Sequence, residues 1–266
     1  MIWFAYYVCE LGRSRFRRPA FTIKVEPLDI GPWYLWWGVI YRAGGRFVSD
    51  ARQADVAVYF ENLARVNPVR PAGPDLYLNY DCVNITKGHL VNVFEDVFGY
   101  DLGVDPRNHE GPMVRKSEDN GKHDGAIIQG PAEPEPGWVY QRVIDNRTTD
   151  HRVADLRCPT VAGRIPLVYI KERPVSRRFD DFNSRCRLST AEAHFSDEEC
   201  DLIARFCHKM RLDFGGLDIL RDNTSGRIYI VDVNKTDMGP PLALPLMDKL
   251  RSTHILAQAF RNVFRI

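Results

Sequence analysis

The sequence lacks the features that assign a protein to several common classes. Its six cysteines form no C-x-x-C pair and have no histidine at zinc-finger spacing, so neither a zinc site nor a disulfide framework is indicated. Its 36 lysines and arginines are balanced by 35 aspartates and glutamates, and the net charge of +1 provides no overall basic field for nucleic acid. We therefore expect reduced cysteines and no nucleic-acid partner.

Long apolar runs are missing as well. The longest, at residues 30–41 (IGPWYLWWGVIY), is well short of the roughly 20 residues that span a bilayer. The chain starts with apolar residues and then becomes basic, which is the reverse of a secretory signal. No transmembrane segment is predicted, a cytoplasmic location is expected, and the oligomeric state stays open.

The first part of the chain predicts a small α/β unit. Aromatic and β-branched residues predict strands at residues 3–8 and 54–60, and a third short strand is predicted at residues 76–80. Between the first two strands, an aromatic helix ends at the glycine pair 44–45, and its rings are assigned to packing. This unit extends to about residue 80.

The remainder of the chain predicts helices alternating with antiparallel strands. An amphipathic helix begins near Lys87, and short strand-like runs separated by Gly- and Pro-rich turns follow it. Residues 179–189 are polar and are expected to be irregular. The fold class predicted for the whole chain is α+β.

The most informative stretch is residues 216–234, GLDILRDNTSGRIYIVDVN, which predicts two strands joined by a turn. Because strand side chains alternate between faces, Asp232 and Asn234 lie on one face, and a hairpin brings Asp218 beside them. Oxygen ligands with an incomplete coordination shell suit Mg²⁺, which takes its other ligands from water and nucleotide phosphates. The alternative is an ordinary exposed hairpin, because Asp and Asn are common near turns.

This hairpin resembles that of the ATP-grasp superfamily, especially the glutamate ligases that modify a ribosomal protein, in which G-V-D-I-L-R, a short turn and E-V-N follow one another. Matching motifs precede it in the same order: TK at 86–87, VRK at 114–116, VYQRVI at 139–144 and DLR at 155–157. The resemblance covers roughly residues 81–241. It implies an ATP-grasp domain at residues 81–266, with two α+β lobes clasping ATP, and a Rossmann-like unit at residues 1–80.

The resemblance also implies a set of site residues, with ATP and Mg²⁺ as cofactors. The implied metal ligands are Asp218, Asp232 and Asn234. The implied nucleotide contacts are Lys87, Lys116, Gln141, Arg142, Val143, Ile144, Asp155, Lys171 and Asn183. Among these, Lys87 and Lys116 are expected at the phosphates and residues 141–144 at the adenine ring. Arg157 and Arg173 are the implied catalytic residues.

Three departures from the family pattern bear on this site. Asp232 stands where relatives carry a Glu, and Arg142 stands where they often carry a carboxylate. The loop at residues 117–125 takes the place of the phosphate-covering glycine loop but has only two glycines. These departures motivate the hypothesis of a nucleotide-binding protein without turnover.

A basic segment at residues 11–24 (LGRSRFRRPAFTIK) has no acidic residue and follows the first predicted strand, where α/β units bind ligands. We expect Arg15, Arg17 and Arg18 to bind an acidic substrate group, although each arginine alone also fits a solvated loop. Arg178 is a further candidate substrate contact. Lys235 is another, unless it neutralises Asp237 instead.

The leading interpretation is a carboxylate–amine ligase, because the family most often has this activity. ATP phosphorylates a substrate carboxylate, and an amine then attacks the acyl phosphate to form an amide. The partners would be a small-molecule or peptide carboxylate and an amine. A small-molecule kinase on the same fold is the main alternative, because residues around an ATP site do not separate the two reactions.

Overall fold

The structure is a computed structural model that describes residues 18–119, 121–122, 124–180 and 183–265, together with positions 5 and 9. The strand predicted at residues 3–8 is wrong at position 5, which is helical, and its other residues lie outside the described residues. From residue 18 onward, the described backbone forms three β-sheets and four α-helices.

The first sheet is parallel, with strand order β2-β1-β3-β4. Its strands are β1 (Phe21–Pro27), β2 (Gly45–Phe47), β3 (Val56–Phe60) and β4 (Leu76–Leu78). Helix α1 (Leu35–Arg42) follows β1 and ends before Gly44, whose φ of +91° favours glycine. The strands predicted at residues 54–60 and 76–80 are confirmed. β1 was missed, because it begins three residues after Arg18, at the end of an arginine-rich segment that favours a loop.

The aromatic rings of α1 are packed inside the protein, as predicted. Trp36 is fully buried, and its ring centroid lies 4.4 Å from that of Phe214 and 6.2 Å from that of Phe260. Trp37 is also buried. Trp33, which precedes the helix, is the exception, because 58% of its surface is exposed.

The second sheet is antiparallel, with strand order β6-β5-β7. Its strands are β5 (Gly111–Ser117), β6 (Ala126–Gly130) and β7 (Trp138–Arg142). The Gly- and Pro-rich turns between them fall where the sequence predicts turns. The loop at residues 117–125 connects β5 to β6.

The third sheet is also antiparallel, with strand order β10-β9-β8-β11-β12. Its strands are β8 (Arg152–Val161), β9 (Val168–Pro174), β10 (Arg185–Ser189), β11 (Phe214–Arg221) and β12 (Ile228–Asn234). The expectation of an irregular segment at residues 179–189 is wrong at its end, where β10 pairs with β9. β10 is an edge strand with only Cys186 buried, so its sequence carries little apolar alternation.

Two helices cover this third sheet. Helix α2 (Lys87–Phe98) contacts β12 and also α3 (Asp197–Lys209). The Thr86 hydroxyl caps α2 by accepting a hydrogen bond from the backbone N–H of His89. α3 starts with a capping box formed by Ser196 and Glu199.

Helix α4 (Leu246–Phe264) returns to the N-terminal part of the chain and packs against α1. This contact crosses the predicted boundary at residue 80, and the division into residues 1–80 and 81–266 stays a prediction. In the part of the chain that the structure describes, no helix is both long and apolar enough to cross a membrane.

Candidate functional site

A cavity of about 390 Å³ is lined by the second and third sheets, and Tyr34 before α1 and Asn62 after β3 also line it. It is the place where most of the sequence-predicted site residues meet. The predicted residues that line it are Lys87, Lys116, Gln141, Arg142, Ile144, Asp155, Lys171, Arg173, Arg178, Asp218, Asp232 and Asn234.

The pairing of the third sheet explains why its charged residues share one face. Asp218 of β11 lies directly opposite Arg157 of β8 on one side and Asp232 of β12 on the other. Asp155 of β8 lies opposite Lys171 of β9. Since side chains two residues apart point to the same face, these cross-strand pairs line up as one charged surface.

The three candidate metal ligands therefore come together as the sequence predicts. Gly216 lies opposite Asn234, so Asp218, Asp232 and Asn234 occupy neighbouring positions on β11 and β12. No group of three or more His, Cys, Asp and Glu side chains suited to a metal occurs among the described residues, and the third oxygen here comes from an amide. Two carboxylates and one amide oxygen at a water-accessible wall fit Mg²⁺, which is completed by water and phosphate oxygens.

Both candidate metal carboxylates contact cations. Arg157 Nη1 lies 3.1 Å from Asp218 Oδ2, and Lys171 Nζ lies 3.3 Å from Asp218 Oδ1. Burial by itself would raise the pKa of Asp218, but these two charges outweigh it and hold the pKa well below its ordinary value. Asp232 forms an ion pair with the buried Lys87 of α2.

Lys116 of β5 faces these carboxylates from the second sheet. Burial and the nearby charge of Lys87 lower the pKa of Lys116 to about 8, against the opposing effect of Asp232 and Asp218. An anionic ligand would stabilise the protonated form of a lysine in such surroundings. Lys116 lines the cavity, as expected of the candidate phosphate contact.

A second charged network lies on β8 and β9. Asp155 forms an ion pair with Arg173 and accepts a hydrogen bond from Asn146 Nδ2 over 3.0 Å. Arg173 also donates to Asn183 Oδ1 over 3.0 Å and to the carbonyl of Arg178 over 2.9 Å. Asn183 therefore does not line the cavity itself, but it holds Arg173, which does.

The segment expected at the adenine ring, residues 141–144, contributes a buried amide. Gln141 of β7 is only 1% exposed, and its Nε2 donates no hydrogen bond to any residue that the structure describes. A buried donor without an acceptor is costly, and a ring nitrogen of a base in the cavity would satisfy it. Ile144 lines the cavity, but its carbonyl already accepts hydrogen bonds from Arg178 and from the backbone of Asn146.

The other two residues of this segment differ from each other. Arg142 has an exposed side chain at the cavity, whereas Val143 does not line it. Apolar side chains from four strands complete this end of the cavity. They are Val114, Val153, Leu220 and Val231.

The loop at residues 117–125 is anchored to the start of α2. Glu118 Oε2 accepts a hydrogen bond of 2.8 Å from the backbone N–H of Gly88. Ser117, Asp119, Lys122 and Asp124 line the cavity from this loop. His123 lies outside the described residues.

Lys235 does not lie where the sequence interpretation places it. Its side chain is fully buried, and Nζ donates to the carbonyl of Cys82 over 3.1 Å. It neither lines the cavity nor pairs with Asp237, which forms an ion pair with Arg157 instead. β12 alternates side chains, so the residue after Asn234 points into the interior.

The remaining predicted residues lie away from the cavity or outside the described residues. Arg157 contacts Asp218 and Asp237 and does not line the cavity, which does not support contact with the reacting atoms. Arg18 is exposed and also outside the lining. Arg15 and Arg17 lie outside the described residues. The C-terminal end of the predicted basic loop is instead part of β1.

Some lining residues were missed by sequence reasoning. Asn62 and Tyr34 bring the N-terminal unit to the cavity, and Asn62 Oδ1 accepts a hydrogen bond of 3.2 Å from Thr236. Asn62 follows a strand of a parallel sheet, where ligands bind, and this signal could have identified it. Val231 gives no such signal, because it lines the cavity at a β-bulge beside Asp218 and Ile219.

Comparison with solved structures identifies the architecture. The chain is similar to the ATP-grasp ligase PsnB complexed with a phosphomimetic variant of its minimal precursor, Mg and ADP, with a TM-score of 0.58 and 11% identity over 93% of this chain and 99% of that one. It is similar to the macrocyclase MdnC from Microcystis aeruginosa, bound with the precursor peptide MdnA, with a TM-score of 0.53 and 10% identity over 91% and 99% of the two chains.

A RimK domain ATP-grasp protein from Sphaerobacter thermophilus is also similar, with a TM-score of 0.51 and 10% identity over 91% of this chain and 99% of that one. No protein-family model and no curated protein matches the chain. These likenesses establish that the chain has the ATP-grasp fold, and the predicted fold class is confirmed.

Proposed function

We propose that the protein is an ATP- and Mg²⁺-dependent carboxylate–amine ligase that forms an amide through an acyl phosphate. The observation that carries this proposal is the face-to-face arrangement in the cavity. Asp218, Asp232 and Asn234 project from the third sheet, and Lys116 approaches them from the second. Oxygen ligands opposite a cation are the components that phosphoryl transfer requires.

The apolar and charged parts of the cavity support one orientation of the nucleotide. The base would enter between Val114, Val153, Leu220 and Val231, where the unpaired Nε2 of Gln141 offers a donor. Its phosphates would extend toward Lys116 and Lys171, which lie near the two carboxylates. Magnesium, when held by Asp218, Asp232 and Asn234, would neutralise charge on the phosphate oxygens.

The chemistry of this chain's own residues is positioning and charge stabilisation. A substrate carboxylate attacks the terminal phosphorus of ATP, and ADP leaves as the acyl phosphate forms. An amine then attacks the acyl carbon, and phosphate leaves. Lys116, Lys171 and Arg173 supply positive charge beside the oxygens that carry negative charge in the first step, and such preorganised charge is effective inside a partly buried site.

The substrate is proposed to be a peptide or small molecule with an acidic group. Several similar structures are ATP-grasp ligases bound to precursor peptides, which supports a peptide carboxylate here. The basic N-terminal segment supports an acidic substrate, because arginines bind carboxylates with two parallel hydrogen bonds.

Substitution of Arg15, Arg17 and Arg18 by Ala should raise the KM of the acidic substrate and leave that of ATP unchanged. Wild-type kinetics in the triple variant would show that this segment does not bind the acidic substrate.

Product analysis is the test of the reaction. We expect ADP and free phosphate to form in equal amounts only when an acid and an amine, or a peptide that contains both, are present with Mg²⁺. A stable phosphorylated product would identify a kinase on this fold. Binding of ATP without ADP release across a broad panel of acids and amines would identify a nucleotide-binding protein without turnover.

A further inference from the structure

The segment that follows β12 contains a buried carboxylate that the proposed chemistry does not use. Asp237 is 1% exposed and forms an ion pair with Arg157. Its other oxygen, Oδ2, accepts no hydrogen bond from any residue that the structure describes. Any effect of this carboxylate on the candidate metal site would therefore pass through its ion pair with Arg157.

Arg157 connects Asp237 to the candidate metal site. One guanidinium nitrogen contacts Asp237 Oδ1, and the other lies 3.1 Å from Asp218 Oδ2. Because a guanidinium is planar and rigid, fixing one of its nitrogens also fixes the direction of the other. Arg157 then contacts only Oδ2 of Asp218, and Oδ1 faces Lys171.

The backbone around Asp237 is held just as closely. Its carbonyl accepts a hydrogen bond of 2.9 Å from the N–H of Leu35, the first residue of α1. The carboxylate lies against the Cα of Gly216, where the Cβ of any larger residue would overlap it. Gly216 is itself directly opposite the metal-ligand candidate Asn234.

We propose that Asp237 is a positioning residue for metal binding, which rests on the proposed function in that Asp218 is a magnesium ligand. Asp237 holds Arg157 so that it contacts a single oxygen of Asp218. Without Asp237, the guanidinium turns to bind both oxygens of Asp218 and competes with the cation. Residues that orient metal ligands in this way typically change metal affinity by about 10- to 100-fold when they are substituted.

The experiment measures the dissociation constant of Mn²⁺ from its complex with the protein and ADP, by water-proton relaxation with a correction for Mn²⁺ bound to free ADP. The variants are Asp237→Asn, which keeps the shape and removes the charge, and Gly216→Ala, which displaces the carboxylate. Asp96→Asn is the matched control, because Asp96 is also ion-paired, with Lys209, but lies on α2 away from the cavity.

We expect both Asp237→Asn and Gly216→Ala to raise the Mn²⁺ dissociation constant by about tenfold or more, and Asp96→Asn to leave it unchanged. In an Arg157→Gln background, Asp237→Asn should add nothing, because the proposed effect passes through Arg157.

A wild-type constant in both variants, with only a lower melting temperature, would overturn the positioning role and leave the metal site intact. Failure of both variants to fold would also overturn it, since Asp237 would then be structural. Absence of Mn²⁺ binding to the wild-type complex would instead refute the proposed metal site itself.

Discussion

The pH dependence of ATP binding follows from the surroundings of Lys116. Burial and the neighbouring charge of Lys87 lower the pKa of Lys116 to about 8 in the protein without nucleotide. In the proposed complex the phosphate oxygens bind the protonated amine, so ATP binding should raise this pKa. ATP affinity should therefore be constant below about pH 8 and fall as the pH rises above the pKa of the free protein.

The size of the effect can be worked from this pKa. At pH 9 about one tenth of the free protein carries a protonated Lys116, so ATP binding weakens about tenfold relative to pH 7, which is about 1.4 kcal/mol. A Lys116→Arg variant stays protonated across this range and should lose the pH dependence. A Lys116→Met variant should bind weakly at every pH, because the charged donor to phosphate is gone.

Isothermal titration calorimetry with Mg·ATP provides the measurement, at constant ionic strength between about pH 7.5 and pH 9.5, where ATP itself stays fully ionised. The wild type should show the decline, and Lys116→Arg should not. An equal decline in the wild type and both variants would refute the assignment of Lys116 to the phosphates.

Three further substitutions test separate parts of the structure. Asp232→Asn should lower ATP turnover by about 100-fold or more while the melting temperature changes little, and full ADP release would contradict the metal assignment. Gln141→Leu should weaken ATP binding by about fivefold without destabilising the fold, since a buried donor without a partner is removed; unchanged ATP affinity would contradict contact with the base. Asn79→Ala should lower the free energy of unfolding by about 3 kcal/mol in urea titrations, because the Asn79 side chain makes three hydrogen bonds to the backbone of Asp213 and Phe214, and a loss below about 1 kcal/mol would contradict this.

The fold was predictable where the sequence carries local signals. The capping box at Ser196 and the apolar spacing after Lys87 specify helices, and turn residues bound the strands of the second sheet. β10 and β1 were not predictable in this way. β10 is an edge strand with one buried residue, and β1 begins shortly after an arginine-rich segment, so only pairing with neighbours distant in sequence defines them.

The candidate site was likewise predictable only where the sequence carries a local signal. The two-residue spacing of Asp232 and Asn234 places both on one face of a strand, and hairpin pairing adds Asp218, so these positions follow from the sequence. The residues that pair with the cations do not follow from the sequence. That Arg157 spans two carboxylates and that Lys235 is buried against Cys82 depend on contacts between strands and loops that no local pattern records.

Contacts between the N-terminal unit and the third sheet converge on the residues beside the candidate metal site. Asn62 accepts a hydrogen bond from Thr236, and the Thr236 backbone N–H donates to Asn234 Oδ1 over 2.7 Å. Tyr34 pairs with Met238 as an isolated β-bridge, and both line the cavity. A group held by the first sheet can therefore shift Asn234 through a single intervening residue. A substrate held by this N-terminal unit would therefore be coupled to the proposed metal ligand Asn234, so substrate binding and metal binding should strengthen each other by the same factor.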